Sequence, residues 1–509
     1  MIIFGVIMGR NSTYKYKKLP LYFCLFFLFP LSAYKKGFIV SSIALFLFLF
    51  PLSAYSQGFL YGTTYAGGKN NFGVLFRYNI ATGKDTVLLN FDSAYTGAYP
   101  LAGLMQASNG LLYGNTYEGG GHGYGTIFSY NPATGKDSVW KNFDSVHDGC
   151  FPIGPIMQSS SGLLYGTAVD GAKGFGVLYS LNIISGLYKV EYAFDSLNGA
   201  YPWDAPTEAA DGKLYGTTNS GGSLGEGVIF CYNPATGKDS TCFNFDDTLH
   251  GEYPDGGLCL TGGLFYGMTN SGGATGHGVF YSYNSVNGQC NNLINFNDTD
   301  GAYAYSNVVL ATDGRLYGMT EGGGVAEAGV IFRYDPVKAT DTVCEKFASA
   351  IGANSFAGLV QAANGLLYGV TAYGGTVDDG VIFSYDPLKN VYKKLMDFNN
   401  AANGSGYYPN GSLLFVNDTL TAVQEIKGSD FSAKIYPVPA NYGFEVNIKG
   451  VVQSLELYDM YGREILEMKL SRTNNPQQYI NTSGLAIGTY HLKIMGSNSS
   501  ADYKIEIVH

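Results

Sequence analysis

Acidic, aromatic and histidine side chains crowd the Gly-rich stretches of this 509-residue chain and could form a binding surface. Aromatic rings offer flat apolar faces that stack on sugar rings, and ionised carboxylates accept hydrogen bonds from hydroxyl groups. The candidate binding residues are Tyr117, His122, Tyr124, Asp144, Asp148, Asp246, Asp247, His250 and Glu252. These residue types favour a surface that binds a glycan or a protein.

The same residue types also suit acid–base catalysis, but no spacing among them singles out a nucleophile or an acid–base pair. An extracellular glycan hydrolase or lyase is therefore the alternative to a binding protein, and no catalytic residue is predicted. The aspartate of the recurrent Phe-Asp-Ser triplet is expected to cap its own turn. The segment NDTDG at 297–301 resembles the start of a calcium loop but lacks the later ligands, so calcium is an alternative and no other cofactor or metal is predicted.

A repeat of 50 to 52 residues must position these side chains, because one Leu-Tyr-Gly or Phe-Tyr-Gly triplet recurs seven times. Its tyrosines are Tyr61, Tyr113, Tyr165, Tyr215, Tyr266, Tyr317 and Tyr368. Periods of this size are typical of propellers, solenoids and other repeat arrays. The chain also has 70 Gly, 15% aromatic and 14% charged residues, which favours β-structure with many tight turns.

Each repeat predicts four short strands, which in the second repeat are 103–108, 111–116, 125–130 and 136–143. Ser-Asn-Gly and Asn-Pro-Ala-Thr-Gly supply the turns between them. Four strands in about 50 residues predict a propeller blade. The first repeat lacks its first strand, and 410–418 matches that missing strand. We therefore expect these two segments to pair and close a seven-bladed β-propeller over residues 57–423.

Alternation of loops along antiparallel strands places the two longer loop types of each repeat at one end of the strands. These loops hold 16 Asp and Glu residues and only Lys69 and Lys173 as basic residues. Because clustered charge of one sign selects which ligands approach, we expect any ligand to bind at this acidic end.

The first 56 residues predict a secretory signal peptide, because basic flanks precede two apolar runs that both end in FLFPLSAY. A transmembrane anchor is the alternative, but the second run is shorter than the roughly 20 residues of a spanning helix. Removal of this segment leaves 24 basic and 40 acidic residues, a net charge of −16, which argues against nucleic acid as a partner. Export would permit a disulfide between Cys231 and Cys242, with free thiols as the alternative.

The repeat resembles the GloVer tandem repeat of secreted bacterial proteins through the pattern of QASNGLLYG, a Gly-Gly pair and YNPxTGKD, and this resemblance covers all seven copies. That resemblance implies no activity. The repeats are also similar to kelch blades through LYG…GG…Y(N/D)P, although only Trp140 matches the kelch tryptophan of the last strand. A weaker similarity is to the propeller of streptogramin lyases, and no catalytic group carries over from it.

Residues 424–432 are expected to form a linker, and 433–509 a small immunoglobulin-like β-sandwich of alternating strands. This last segment resembles the type A sorting domain of the type IX secretion system of Bacteroidota-like bacteria. The matching motif residues are Tyr436, Pro437, Pro439, Asp459, Gly462, Gly488 and Tyr490. The resemblance implies that the secretion machinery is a partner and that the protein reaches the medium or the outer-membrane surface, with no transmembrane anchor in the mature chain.

Overall fold

The computed structural model describes residues 58–171, 173–417, 424–427, 431–436, 443–460, 462–470, 477–482, 485–486, 488–497 and 499–507. These residues form nine four-stranded antiparallel sheets and one short helix, Asn400–Asn403. The predicted signal peptide lies outside the described residues. Within them, no helix has both the length and the apolar character needed to cross a membrane.

Seven sheets occupy residues 59–416, one for each repeat, and their strands agree with the predicted strands to within a few residues. Sheet 1 contains Phe59–Thr64, Val74–Asn79, Lys84–Asn90 and Leu414–Val416; sheet 2 contains Met105–Gln106, Leu112–Thr116, Thr126–Asn131 and Lys136–Asn142; sheet 3 contains Met157–Gln158, Leu164–Ala168, Val177–Leu181 and Tyr188–Ala193; sheet 4 contains Thr207–Glu208, Leu214–Thr218, Val228–Asn233 and Lys238–Asn244. Sheet 5 contains Cys259–Thr261, Leu264–Met268, Val279–Asn284 and Gln289–Asn295; sheet 6 contains Val309–Leu310, Leu316–Met319, Val330–Asp335 and Thr340–Lys346; sheet 7 contains Val360–Gln361, Leu367–Thr371, Val381–Asp386 and Val391–Asp397.

Sheet 1 combines the first strand of the repeats with the last one. Leu414–Val416 pairs with Phe59–Tyr61, with Phe59 opposite Val416 and Tyr61 opposite Leu414. The predicted pairing of 410–418 with the first repeat is therefore confirmed. A sheet edge that the first repeat would otherwise leave unpaired is covered in this way.

The glycine of each triplet lies under an aromatic ring of the neighbouring strand. Gly216 is opposite Phe230, and a Cβ atom at Gly216 would lie 2.5 Å from that ring. The pairing between the third and fourth strands shifts register beside this aromatic residue in all seven repeats. Such a bulge re-aims a side chain, and only glycine leaves room for the ring.

Neighbouring sheets are joined by the phenylalanine that follows the fourth strand of each repeat. It packs edge-on against the same third-strand aromatic ring of the next sheet, with centroids 5.0 to 5.5 Å apart. The pairs are Phe91–Phe128, Phe143–Tyr179, Phe194–Phe230, Phe245–Tyr281, Phe296–Phe332, Phe347–Phe383 and Phe398–Phe76. The last pair links sheet 7 to sheet 1.

Two further sheets lie in the C-terminal segment and share one apolar core. Sheet 8 contains Gln424–Lys427, Phe431–Tyr436, Gly443–Gly450 and Gln477–Asn481; sheet 9 contains Val452–Asp459, Glu464–Lys469, Gly488–Gly496 and Ser500–Ile507. The predicted linker 424–432 is corrected here, because Gln424–Lys427 is an edge strand paired with Phe431–Tyr436. A short, mostly polar edge strand gives no period-two signal in the sequence.

Candidate functional site

The two longer loop types of neighbouring repeats lie side by side. Backbone bridges join the loop after a fourth strand to the loop after the second strand of the next repeat, for example Ala98 to Glu118 and Glu252 to Ser271. The prediction that both loop types share one end of the strands is therefore confirmed. We call the surface made by these loops the acidic loop face.

Three of the predicted binding residues lie in the loop of repeat 2. Tyr117 and Tyr124 both pack on the Phe151 ring, with centroids 5.1 and 5.7 Å apart, and His122 is exposed. The two tyrosines are half-buried and thus already have an aromatic partner within the protein.

Asp144 caps its own turn, as predicted for the Phe-Asp-Ser triplet, and Asp246, which follows Phe245 in Phe-Asp-Asp, does the same. Asp144 accepts hydrogen bonds from the backbone N–H groups of His147, at 2.6 Å, and Val146, at 3.1 Å. The bond from His147 holds the pKa of Asp144 below its ordinary value. Asp246 accepts the Leu249 N–H at 2.7 Å in the same way.

Most of the remaining predicted residues bond to other side chains of the protein, and one is exposed. Asp148 forms an ion pair with Lys141 at 2.5 Å, and His250 Nδ1 lies 2.8 Å from Asp246 Oδ2. The Glu252 carboxylate accepts the Ser271 hydroxyl at 3.1 Å, and burial together with the neighbouring Glu226 raises the pKa of Glu252.

Asp247 is exposed. Among the described residues, no hydrogen bond or ring contact joins 117–148 to 246–252. The assignment of these residues to ligand binding stays a prediction.

A second candidate site lies where all seven repeats meet. Each repeat contributes the four residues that follow the Tyr-Pro dipeptide or its equivalent, which we call the inner segments. They are 101–104, 153–156, 203–206, 255–258, 305–308, 356–359 and 410–413. Residues of all seven inner segments line one cavity of about 530 Å³, the inner cavity.

A residue with an unfavourable backbone conformation lies two positions before every inner segment. The residue two positions before each inner segment has a positive φ between 52° and 58° in all seven repeats, although none is glycine. These residues are Tyr99, Phe151, Tyr201, Tyr253, Tyr303, Asn354 and Tyr408. Such φ values are unfavourable for bulky residues and persist only where the surroundings fix them, which indicates that the inner segments are held firmly.

Two carboxylates face the inner cavity. Asp204 is half-buried and accepts the backbone N–H groups of Ala205 and Gly257 at 2.6 and 2.9 Å. Asp255 is 4% exposed and accepts the Asn219 side-chain amide at 2.7 Å. Burial raises the pKa of Asp204 to about 6 and that of Asp255 to about 7, and the hydrogen bonds oppose this only in part.

Aromatic rings and unpartnered polar atoms complete the cavity wall. Trp203 stacks parallel to Tyr305 with centroids 6.4 Å apart, and Tyr305 meets Phe356 edge-on at 5.2 Å. Ser306 is 5% exposed, and neither its Oγ nor Oδ1 of Asn410 has a hydrogen-bond partner within the described part of the chain. Buried polar atoms are nearly always paired, so these atoms indicate space for a ligand group or water.

The inner cavity was not among the predicted sites, although the sequence of the inner segments contains a signal for it. Most inner segments are apolar or Gly-rich, as in Leu101–Leu104, with sequence LAGL, and Phe356–Leu359, with sequence FAGL. Repeats 3 to 5 supply WDAP, DGGL and YSNV instead. In an alignment of the positions after the Tyr-Pro dipeptide, the two acidic residues, Asp204 and Asp255, fall in neighbouring segments.

Four sorting-motif residues, Asp459, Gly462, Gly488 and Tyr490, lie in the strands of sheet 9 or in a turn between them. Asp459 is directly opposite Tyr490 and accepts Arg463 Nε at 2.7 Å, while Gly462 has φ +77° in the turn between them. Gly488 opens the strand that carries Tyr490. Tyr436 ends a strand of sheet 8, and Pro437 and Pro439 lie outside the described residues.

Thiols and metal ligands add no further site. The six cysteines of the described residues are free; Ser240 is opposite Cys231 in the strand pairing, and the thiols of Cys231 and Cys242 interact with each other without a disulfide bond. The structure thus shows the free-thiol alternative. Within the described ranges, no group of three or more His, Cys, Asp or Glu is arranged to hold a metal ion. In the segment that resembles a calcium loop, Asp300 accepts the Asn297 N–H at 2.7 Å.

Two protein families match the chain. The profile described as the Gloeobacter/Verrucomicrobia repeat matches residues 50–209 and 203–436. The profile described as the secretion system C-terminal sorting domain matches residues 434–508. The second match marks a protein that the type IX secretion system exports to the cell surface or beyond. No curated protein matches the chain.

Several solved structures are similar at low identity. A candidate 6-phosphogluconolactonase from Bacteroides uniformis has TM-score 0.48 and 16% identity, over 71% of this chain and 100% of its own. TolB from Acinetobacter baumannii has TM-score 0.35 and 13% identity, over 67% and 78%. An oligogalacturonate lyase from Vibrio parahaemolyticus has TM-score 0.40 and 11% identity, over 74% and 95%. Similarities at this level carry no conclusion about activity.

Proposed function

The chain belongs to the Gloeobacter/Verrucomicrobia repeat family, and from this premise we propose that its repeats close into a seven-bladed β-propeller that binds a ligand outside the cell. The observation that carries the closed ring is the Phe398–Phe76 contact, at 5.2 Å, because it repeats between sheets 7 and 1 the contact found between all other neighbouring sheets. The mixed strand pairing in sheet 1 supports the same closure. Whether the blades are also kelch-like stays a prediction.

The ligand site that we propose is the inner cavity, in a secreted binding protein. Its aromatic and polar wall suits a small molecule with apolar and hydrogen-bonding parts, such as a glycan, and pockets of 300–1,000 Å³ are typical of such ligands. On the acidic loop face, by contrast, Asp144, Asp148, Asp246 and Glu252 already bond within the protein. That face stays a second candidate surface for a protein or glycan ligand.

An extracellular glycan hydrolase or lyase remains the alternative function. The distinctive residues of the inner cavity concentrate in repeats 3 to 5, whereas a purely structural ring would repeat them. Two carboxylates with raised pKa are also the groups that acid–base catalysis uses. An enzyme must convert its bound ligand to a product, whereas a binding protein does not.

A glycan-array screen of the mature chain, followed by a turnover assay on each glycan that binds, tests this function. Replacement of Trp203 by Leu should abolish binding, while the matched change Tyr117→Leu on the acidic loop face should leave it intact. Loss of binding only in the Tyr117 variant would indicate that the ligand binds to the acidic loop face and not in the inner cavity. Product formation would favour the enzyme.

The proposed location outside the cell follows from residues 433–509. We propose that these residues fold as an immunoglobulin-like sandwich and contact the secretion machinery. Removal of the signal peptide should leave a mature chain that begins near Gln57, which is then released or attached to the outer-membrane surface. Deletion of 433–509 should trap the ring in the periplasm, as measured by cell fractionation. Appearance of the truncated chain in the medium, with an intact outer membrane, would contradict the proposal.

A further inference from the structure

We propose that the inner cavity binds a small organic cation, an ammonium group carried on an apolar body. This inference rests on the proposed function, since it names the ligand class of the cavity proposed there. The charge of the cavity, its aromatic wall and its unpartnered acceptors each favour such a cation.

The cavity contains negative charge without a protein counter-charge. Of the described residues that line it, none is Lys, Arg or His, and neither Asp204 nor Asp255 forms an ion pair. An ionised carboxylate that is buried without a cation is strongly unfavourable. A bound cation would remove this unfavourable term, whereas a neutral or anionic ligand would not.

The ionisable groups around the two carboxylates are acidic as well. Tyr253 and Tyr305 interact electrostatically with Asp255, and Glu321 approaches Tyr305 from the next repeat. Asp204 is held by backbone N–H groups of its own segment and of Gly257. These surroundings supply no positive side chain, so the field in the cavity attracts cations.

Aromatic rings give the cation a second favourable partner. Trp203, Tyr305 and Phe356 line the cavity in one continuous contact series. Cations over such ring faces gain about 0.5–2 kcal/mol, most when water is excluded. Leu101 and Ile153 also line the cavity and suit an apolar ligand body.

Unpartnered acceptors match the donors of an ammonium group. Ser306 Oγ, in a residue that is 95% buried, and Asn410 Oδ1 lack partners within the described residues, and both residues line the cavity. A primary ammonium has three N–H donors and no acceptor. A wall of carboxylates, a hydroxyl and an amide oxygen complements that pattern.

Protonation of the carboxylates then competes with the ligand. Burial raises the pKa of Asp204 to about 6 and of Asp255 to about 7, so both are largely neutral at pH 5 and largely ionised at pH 8. A cation binds to the ionised carboxylates, so each protonated carboxyl group must first lose its proton. Below pH 6, the affinity for a cation should therefore fall about tenfold per pH unit for each such group.

The test titrates the mature chain with benzylammonium chloride and with benzyl alcohol by calorimetry at pH 5, 6, 7 and 8. The two probes share a shape and differ in charge. We expect benzylammonium to bind at least tenfold more tightly than the alcohol at pH 8, and to weaken at least tenfold by pH 5. Asp255→Asn and Trp203→Leu should each weaken it at least tenfold, and Asp137→Asn, at an exposed position of the strand Lys136–Asn142, should not change it.

Four results would overturn the inference: no benzylammonium binding at pH 8, equal binding of the alcohol, affinity that does not change with pH, or unchanged affinity in Asp255→Asn. Tighter binding of calcium, with displacement of benzylammonium, would replace the organic cation by a metal. A neutral glycan that loses binding in Trp203→Leu, together with no binding of benzylammonium at pH 8, would keep the proposed function and exclude the cation. Circular dichroism of each variant controls for unfolding.

Discussion

Asp255 is more buried than any other aspartate in the described part of the chain. It is 4% exposed, accepts one amide hydrogen bond from Asn219 and has a pKa raised by burial to about 7. A raised pKa means that the folded state favours the neutral acid. The stability from Asp255 is therefore fully present below about pH 4 and is lost as the pH rises through about 7.

Replacement of Asp255 by Asn should remove this pH dependence. The amide keeps an acceptor oxygen for Asn219 and carries no charge, so the variant should gain stability over the native protein at pH 8, by at most about 4 kcal/mol, and little at pH 4. Denaturant unfolding at both pH values measures the difference. An equal effect at pH 4 and pH 8 would show that the ionisation of Asp255 is not responsible.

Aspartate side chains stabilise the turns of the acidic loop face by capping backbone N–H groups. Asp246 accepts backbone N–H groups of Leu249 and His250, at 2.7 and 3.0 Å. Asp246→Ala should lower the free energy of unfolding by about 1 kcal/mol through loss of these bonds. The exposed neighbour Asp247 is the matched control, because Asp247→Ala should change stability little. Equal effects would argue against a capping role.

The triplet glycines set the packing inside each sheet. A Cβ at Gly216 would lie 2.5 Å from Phe230, so Gly216→Ala should lower stability by about 1–3 kcal/mol through overpacking. Gly121 is the control, because it has no positive φ and its nearest neighbour, Asn142, is 3.7 Å away. Thermal unfolding of both variants should separate them clearly. A stable Gly216→Ala protein would mean that the ring can move aside.

The elements were predictable where local chemistry determines them. Period-two strands, Asn-Gly-type turns and the Asp144 cap follow from short sequence windows. The bulge beside Phe230 did not, because register depends on partner strands and not on local sequence. Asp204 and Asp255 were overlooked for a related reason. These two carboxylates come together only when the inner segments of different repeats line one cavity in the folded protein.

Closure is a property of the whole molecule and can be tested with one pair of residues. Phe143 and Phe398 are both fully buried, and each packs edge-on against the next sheet, at 5.5 and 5.2 Å. In a closed ring, Phe398→Ala should lower stability as much as Phe143→Ala, by about 3–5 kcal/mol. Calorimetric unfolding of both variants gives the comparison. A negligible effect at Phe398 alone would indicate an open array.

The pairing of Leu414–Val416 with Phe59–Tyr61 also has a mechanical meaning. For a protein held to a cell surface through its C-terminal segment, fluid drag on the repeats would reach the chain at Leu414–Val416. That strand has three residue pairs with Phe59–Tyr61, half of the six that join Phe59–Thr64 to Val74–Asn79 in the same sheet. Under load, the pairing at Leu414–Val416 would therefore part before the pairing between Phe59–Thr64 and Val74–Asn79.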